Sequence, residues 1–429
     1  MRLTTALLTT LAAFATFTAL GTDAAESAES AADRDAKPGC RLIGFASLPP
    51  DTLAPGPPSG HLLNPAKTHG RPVPFAGQPV QGFSSVIATN TPGEFLALSD
   101  NGFGSKANSP DYLLRVYRVR PDFKTAEGGT GKVAWKPAFT LSDPDGRIPW
   151  PIVADRATYP GSDTPVAREV REGRLLTGAD FDVESFVRLP DGTFWVGDEF
   201  GPFLLHVDAE GRLLAPPVDL VGVPGAGFQS PGHPRPSSDA VDLPRSAGFE
   251  GMAMREVGGG VALRPMLEKN GRVFDFYPDL APDAVWVDAD SRFAGSSFVR
   301  YPLTKGHAVG EFIAAGPEYL VIERDGRQGD AARVKAIYRW SGRSRDESKR
   351  LVADLLNIPD PDDLDGDGTT LFRFPFVTIE SVVMVDDRTL LIVNDNNYPL
   401  SSGRTPGQPD PTEFILLRFD KPLVTAAGR

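Results

Sequence analysis

From residue 40 onwards the apolar and polar positions do not follow the three-to-four spacing of an amphipathic helix. Short apolar stretches alternate with polar residues and stop at Gly, Asp or Asn, the pattern of strands joined by tight turns. The clearest case is ESFVRLPDGTFWVGDEFG, residues 184–201. Glu184 opens a strand, Asp191-Gly192 has the sequence of a hairpin turn, and 194–197 returns. LLHVDAEGRLL (204–214) follows as a second hairpin, turning at Glu210-Gly211. Two consecutive hairpins make a four-stranded antiparallel unit, the shape of one propeller blade.

Similar units recur. FSSVIATNTPGEFLALSDNGFG (83–104) runs from Ser85 to Asp100, and GFEGMAMREVGGGVALRPMLE (248–268) from Glu250 to Glu268. GEFIAAGPEYLVIERDG (310–326) runs from Glu311 to Glu323, and IESVVMVDDRTLLIVNDNN (379–397) from Glu380 to Asp395. The starts Glu184, Glu250, Glu311 and Glu380 lie roughly 60–70 residues apart, the kind of period a repeat architecture leaves in sequence. The gap from Ser85 to Glu184 is longer, so that unit carries an insertion or conceals another blade. These features predict an all-β fold: a β-propeller of four-stranded antiparallel blades around a central channel, six blades preferred over seven. A single domain over 40–425 is expected, with RLIGFASL (41–48) and EFILLRFD (413–420) pairing to close the ring.

The N-terminus reads differently. Arg2 precedes an apolar run from about Ala6 to Leu20, then small residues, which is the form of a signal peptide over 1–25. A small, charged stretch follows as a flexible leader over 26–39. Export is therefore expected, to the exterior or the periplasm, with no transmembrane anchor further on. Cys40 is the only cysteine, so no intrachain disulfide can form. It stands too far behind the apolar run for a lipid-anchored cysteine, and a free, buried thiol is expected. Gly (44) and Pro (41) make up about a fifth of the chain and are spread along it, as many turns require. The net charge of −12 argues against a nucleic-acid partner. Nothing points to an oligomer, so a monomer is the default.

The acids at the ends of the repeated hairpins carry the chemistry. In a hairpin the start of one strand and the end of the next lie at the same end, so one mouth of the channel would gather Asp100, Glu184, Asp198, Glu199, Glu250, Glu268, Glu311, Glu323, Glu380 and Asp395. That many carboxylates need a cation among them. An oxygen-only donor set points to a hard ion, Ca²⁺ above all. A second signal is DPDDLDGDGTT (360–370), where Asp363, Asp365 and Asp367 alternate before Gly368 like the first half of a calcium loop. Its twelfth position is Phe374, so it is not an EF-hand, and a peripheral Ca²⁺ loop closed by another acid is expected. No G-x-S-x-G and no paired zinc motif is present. His206 reads as structural, and His307, just before Glu311, is a proton-transfer candidate. Arg324, Arg404, Arg333 and Lys335 are candidates to hold an anionic substrate, the alternative in each case being a salt bridge to a nearby acid.

DNGFG, DVESFVRLPDGTFWVGDEFGP, GFEGMAM, LVIERDG, TIESVVMV and VNDNNYP together resemble the phytase-like family, "esterase-like activity of phytase", over about 80–420. The resemblance implies an exported β-propeller with recurring Glu and Asp and phosphoester hydrolysis. It supplies no proven catalytic set. The well-characterised β-propeller phytases carry a DDPAIW-type motif. The nearest string here is APDAVWVD (281–288), in another order, so phytate is not implied as substrate. The leading expectation is a Ca²⁺-dependent hydrolase of a small phosphoester. On it Glu184, Asp198, Glu199, Glu250 and Glu380 bind metal or orient water, with His307 as a proton carrier. The alternatives are a Ca²⁺-dependent lactonase or carboxylic-ester hydrolase and a non-catalytic binding propeller with structural calcium.

Overall fold

The computed structural model describes residues 39–220, 228–236, 243–257, 260–278, 298–343 and 349–424. Contacts divide the chain into 1–37 and 38–429. The expected signal peptide, the leader up to residue 38 and the string 281–288 lie outside the described residues.

Apolar stretches separated by glycine turns fold into hairpins. Gly192 and Gly211 take φ of +92° and +84°, which a residue with a Cβ rarely adopts. β1 (Cys40–Leu48) is followed by a short pair, β2 (Leu53–Ala54) and β3 (Gln78–Pro79). The first four-stranded set is β4 (Phe83–Ala88), β5 (Phe95–Ser99), β6 (Arg115–Asp122) and β7 (Lys132–Thr140). The second is β8 (Val183–Arg188), β9 (Phe194–Asp198), β10 (Phe203–Val207) and β11 (Val218–Asp219). The third is β12 (Phe249–Val257), β13 (Gly260–Leu267), β14 (Arg272–Val273) and β15 (Val299–Arg300). The fourth is β16 (Ala308–Ala315), β17 (Glu318–Arg324), β18 (Lys335–Trp340) and β19 (Arg350–Asp354). A short pair, β20 (Ile358–Pro359) and β21 (Leu371–Phe372), leads to the last set, β22 (Thr378–Asp386), β23 (Thr389–Asp395) and β24 (Thr412–Phe419).

That last set takes its fourth strand from the other end of the chain. β1 lies antiparallel to β24, from Cys40 opposite Phe419 to Leu48 opposite Thr412, the pairing the sequence suggested. A bridge between Ser47 and Lys132 links this set to the first, so the two form one eight-stranded sheet.

The first strands of the sets neighbour one another in a closed cycle, β4–β8–β12–β16–β22–β4. The apolar core is divided the same way. One cluster joins the first and second sets through Leu98 and Phe186, and another the second and third through Trp195 and Leu263. A third joins the third and fourth through Met266 and Phe312, and a fourth joins the fourth and fifth through Ile322 and Ile392. The cycle closes with Phe414 and Leu391 against Phe83 and Ala97. This is a β-propeller, nearly all-β, with antiparallel four-stranded sets around a centre. The long gap before Glu184 is an insertion: 141–182 holds a 3₁₀ turn and one short helix, α1 (Arg168–Gly173), and no further set. Five sets occur among the described residues, where six blades were preferred from length and period.

Candidate functional site

Every first hairpin of a set contains the same irregularity. The register shifts by one residue at Ser84, Glu184, Glu250, Gly310 and Glu380, between Phe83/Ser85, Val183/Ser185, Phe249/Gly251, Val309/Glu311 and Ile379/Ser381. A bulge of this kind bends the strand and re-aims the extra side chain. The residue before each bulge pairs with Ser99, Asp198, Leu267, Glu323 and Asn394. One position further on stand Asp100, Glu199, Glu268, Arg324 and Asp395. The mouth is therefore built from two sets of equivalent positions. Carboxylates hold most of them, and in the fourth set an arginine takes the place of an acid.

Arg324 sits buried among these acids. Its Nη2 donates to Glu380 Oε1 at 3.0 Å, Glu268 Oε1 at 3.1 Å and Glu250 Oε1 at 3.3 Å. Burial alone would lower the guanidinium, yet Glu380, Glu268 and Glu250 outweigh it and hold Arg324 above its ordinary value. Glu380 also accepts from Ser84 Oγ at 3.1 Å, and burial with Asp395 nearby pushes it up to about 8. Burial, then the neighbouring acids, raises Glu184, Glu199, Glu250 and Asp100 well above the carboxylate range.

Two groups of acids bring carboxylate oxygens within 4.8 Å of one another, Asp182–Glu184–Glu199 and Glu199–Glu250–Glu268, with Glu199 common to both. Glu199 Oε1 and Asp182 Oδ1 are buried and have no hydrogen-bond partner among the described residues. The second group is already served by Arg324, and Lys269 pairs with Glu268. Among the described residues no ion pair reaches the first group, and its donors are all oxygen. Orphaned buried carboxylate oxygens in an oxygen-only set fit a hard divalent cation.

Other expected residues lie elsewhere or do other work. Asp198 accepts from the N–H of Asp182 at 2.8 Å and of Gly201 at 2.7 Å, so both oxygens hold backbone, and burial raises it to about 7. Asp395 likewise accepts from Asn397 N and Thr378 Oγ1, and burial raises it to about 6. Asp100 accepts from Gly102 N at 2.7 Å. Glu323, one residue before Arg324, faces away from the cluster. It meets His307 Nδ1 at 2.7 Å, Tyr301 OH at 3.0 Å and Lys349, so His307 is not brought to the mouth acids. Glu311 accepts from Ser85 Oγ at 3.0 Å and Phe312 N at 2.8 Å, not from the arginine cluster. Lys335 is buried beside Asp325 at 3.1 Å, and burial with Arg324 nearby lowers it to about 8. Arg404 grips Glu413 and lies 5.2 Å over the rings of Phe372 and Phe376. Arg333 donates to Asp330 O and Ala332 O of its own loop.

In the 360–368 loop the oxygens that converge belong to Asp360, Asp363 and Asp365. Asp367 instead accepts from Thr369 N at 2.7 Å. Asp182 and Lys106 are the mouth residues that sequence reasoning missed. Asp182 had one signal, an acid two places before Glu184 at the strand entry. Lys106 has its amine at 2.8 Å from Gly232 O and 4.6 Å over Phe200, and burial lowers it although Asp198 and Asp182 pull the other way.

A family model described as "Phytase-like: Esterase-like activity of phytase" matches residues 78–398. A protein of Arthroderma benhamiae named "uncharacterized secreted protein" is 39% identical over 166 residues, covering 32% of this chain and 32% of that protein. The chain thus matches about a third of that relative's length. Among solved structures, a putative exo-β-1,3-galactanase from Bifidobacterium bifidum aligns with a TM-score of 0.38 and 9% identity, over 90% of this chain and 100% of its own. The β-propeller domain of Swd1 from Myceliophthora thermophila aligns with a TM-score of 0.27 and 12% identity, over 76% and 67%. Both structural likenesses are distant and say nothing of chemistry.

Proposed function

The chain belongs to the phytase-like family, and from that premise we propose that it is an exported, Ca²⁺-dependent hydrolase of small phosphoesters, working at the acidic mouth of the propeller. The observation that carries the reading is the pair of buried, unpartnered oxygens on Asp182 and Glu199 beside Glu184. These three residues would hold the ion. Bound there, calcium would draw phosphate oxygens and make the phosphorus more electrophilic. Arg324 keeps Glu250, Glu268 and Glu380 gathered at one point and neutralises part of their charge. Glu380, raised to about 8 and bonded to Ser84, is suited to take or give a proton near neutral pH. Lys106, at the same mouth, can meet a substrate anion. Export is supported by the N-terminal apolar run and by the relative's name. Among the described residues no helix is long and apolar enough to cross a membrane.

The family description contains the word "esterase", which favours a second reading: hydrolysis of a carboxylic ester or lactone at the same acids. A turnover panel separates the two. The purified protein is assayed with calcium and with EDTA on p-nitrophenyl phosphate, bis-p-nitrophenyl phosphate, phytate, a p-nitrophenyl carboxylic ester and a lactone. Calcium-dependent phosphate release, reduced at least tenfold in Glu184→Gln and Glu380→Gln, is the expected result. Turnover of the carboxylic ester or lactone alone would replace the phosphoester reading by the second. No turnover, with calcium still raising Tm, would leave a binding propeller.

A further inference from the structure

Apart from the two acid groups at the mouth, we propose that the loop joining β20 to β21 binds one calcium ion through Asp360, Asp363 and Asp365, and that this ion fastens the segment where the ring closes. The inference is independent of the reading of the mouth. β20 and β21 are paired, Ile358 opposite Phe372 and Pro359 opposite Leu371, so 360–370 is a loop with its ends tied together. Within it, one carboxylate oxygen from each of the three aspartates lies within 4.8 Å of the others.

The second observation concerns Asp360, which is 1% exposed. Its Oδ2 accepts from Leu364 N at 2.8 Å, while its Oδ1 has no hydrogen-bond partner among the described residues. A buried carboxylate oxygen left without a donor is costly, and a cation held by the facing acids would satisfy it. The nearby cations have other work. Lys124 donates to the Asp363 carbonyl at 3.2 Å, and Arg404 grips Glu413. The donors are hard oxygens on an irregular loop, the chemistry that suits Ca²⁺ better than the stricter octahedron of Mg²⁺.

The position gives the ion a role. Leu364, between two of the ligands, is buried in the same apolar cluster as Leu42 of β1, Phe419 of β24 and Phe372 of β21. An ion that fixes the loop therefore fixes a plug in the core beneath the strand pair that joins the two ends of the chain.

The test is calcium titration by calorimetry, with Tm measured in calcium and in EDTA, on the wild type, Asp363→Asn, Asp365→Asn and the mouth variant Glu184→Gln. Asp363 and Asp365 are half-buried, so these two variants keep the fold where the buried Asp360 is a riskier target. Each loop variant is expected to bind one calcium fewer than wild type and to lose roughly 3 °C of the calcium-induced rise in Tm. Glu184→Gln should retain that event and its share of the rise. Loop variants that bind as many ions as wild type, at unchanged Kd, would overturn the proposal. A wild type that binds no calcium would overturn it as well.

Discussion

Glu311 lies on β16, and its carboxyl meets Ser85 of β4, a strand that is not its neighbour in the cycle, so the contact crosses the centre of the ring. It is 3% exposed, and burial pushes it up to about 8. An ordinary glutamate in the unfolded chain titrates near 4.5. Between these values the folded state holds a proton that the unfolded state has released. The resulting stability is complete below about 4.5 and is lost as pH rises towards 8. Glu311→Gln mimics the protonated acid, since its amide can donate to Ser85 Oγ, and it carries no titrating group. In EDTA, urea unfolding of wild type should show stability falling from pH 5 to pH 8, and the variant should fall less steeply. Parallel profiles would mean that Glu311 is ionised in the folded protein. Glu311 suits this test because it belongs to neither of the acid groups at the mouth that could hold a cation.

The bulged hairpin is the element that makes the mouth, and it has a steric condition. Gly310 occupies the bulge of the fourth set, where a Cβ would lie 2.1 Å from the carbonyl oxygen of Ile379 in the next set. The side chain is missing there because the neighbouring backbone passes through its place. Gly310→Ala should therefore destabilise the protein by about 2 kcal/mol or more, since neither backbone can yield without disturbing the ring. Denaturant unfolding would show it, and an unchanged midpoint would mean that the two strands can part freely. The same element explains what could be read beforehand. Turn residues such as Asp191-Gly192 and the short apolar runs of β8 and β9 marked the hairpins, and the recurrence of Glu184, Glu250 and Glu380 marked the repeat. A bulge adds one residue with no signature in composition. Counting from the strand ends therefore put Ser85 and Glu311 in line with the bulged acids, where the equivalents are Ser84 and Gly310. The same one-residue slip grouped Asp198 and Glu323 with Glu199 and Glu268, although alternation along a strand turns neighbours to opposite sides. In the 360–368 loop the alternating aspartates were visible, but Asp360 joins them through a turn that spacing alone does not reveal.

At the scale of the molecule, the ring is closed by strands from opposite ends of the chain. β1 completes the set that begins with β22, and it contributes Leu42, Ala46 and Leu48, each at most 2% exposed, to the flanking cores. Leu42 faces the cluster shared with the fourth set, while Ala46 and Leu48 face the cluster shared with the first. Their burial is worth about 5 kcal/mol, comparable to the lower end of the total stability of a folded domain. The backbone adds to this, because without β1 the polar groups of β24 from Thr412 to Phe419 form an open edge. A chain beginning at residue 49 should thus fail to reach the native state or aggregate through that edge, whereas a chain beginning at residue 39 should fold. Circular dichroism and size-exclusion chromatography would distinguish them. Adding a synthetic peptide of residues 40–48 to the shorter chain should restore folding in part, since the strand makes its contacts without needing the covalent link. A shorter chain that folds and melts like the longer one would show that the cycle holds without the contacts of β1 to the fourth and first sets. In that case the mouth acids would be positioned independently of the clasp.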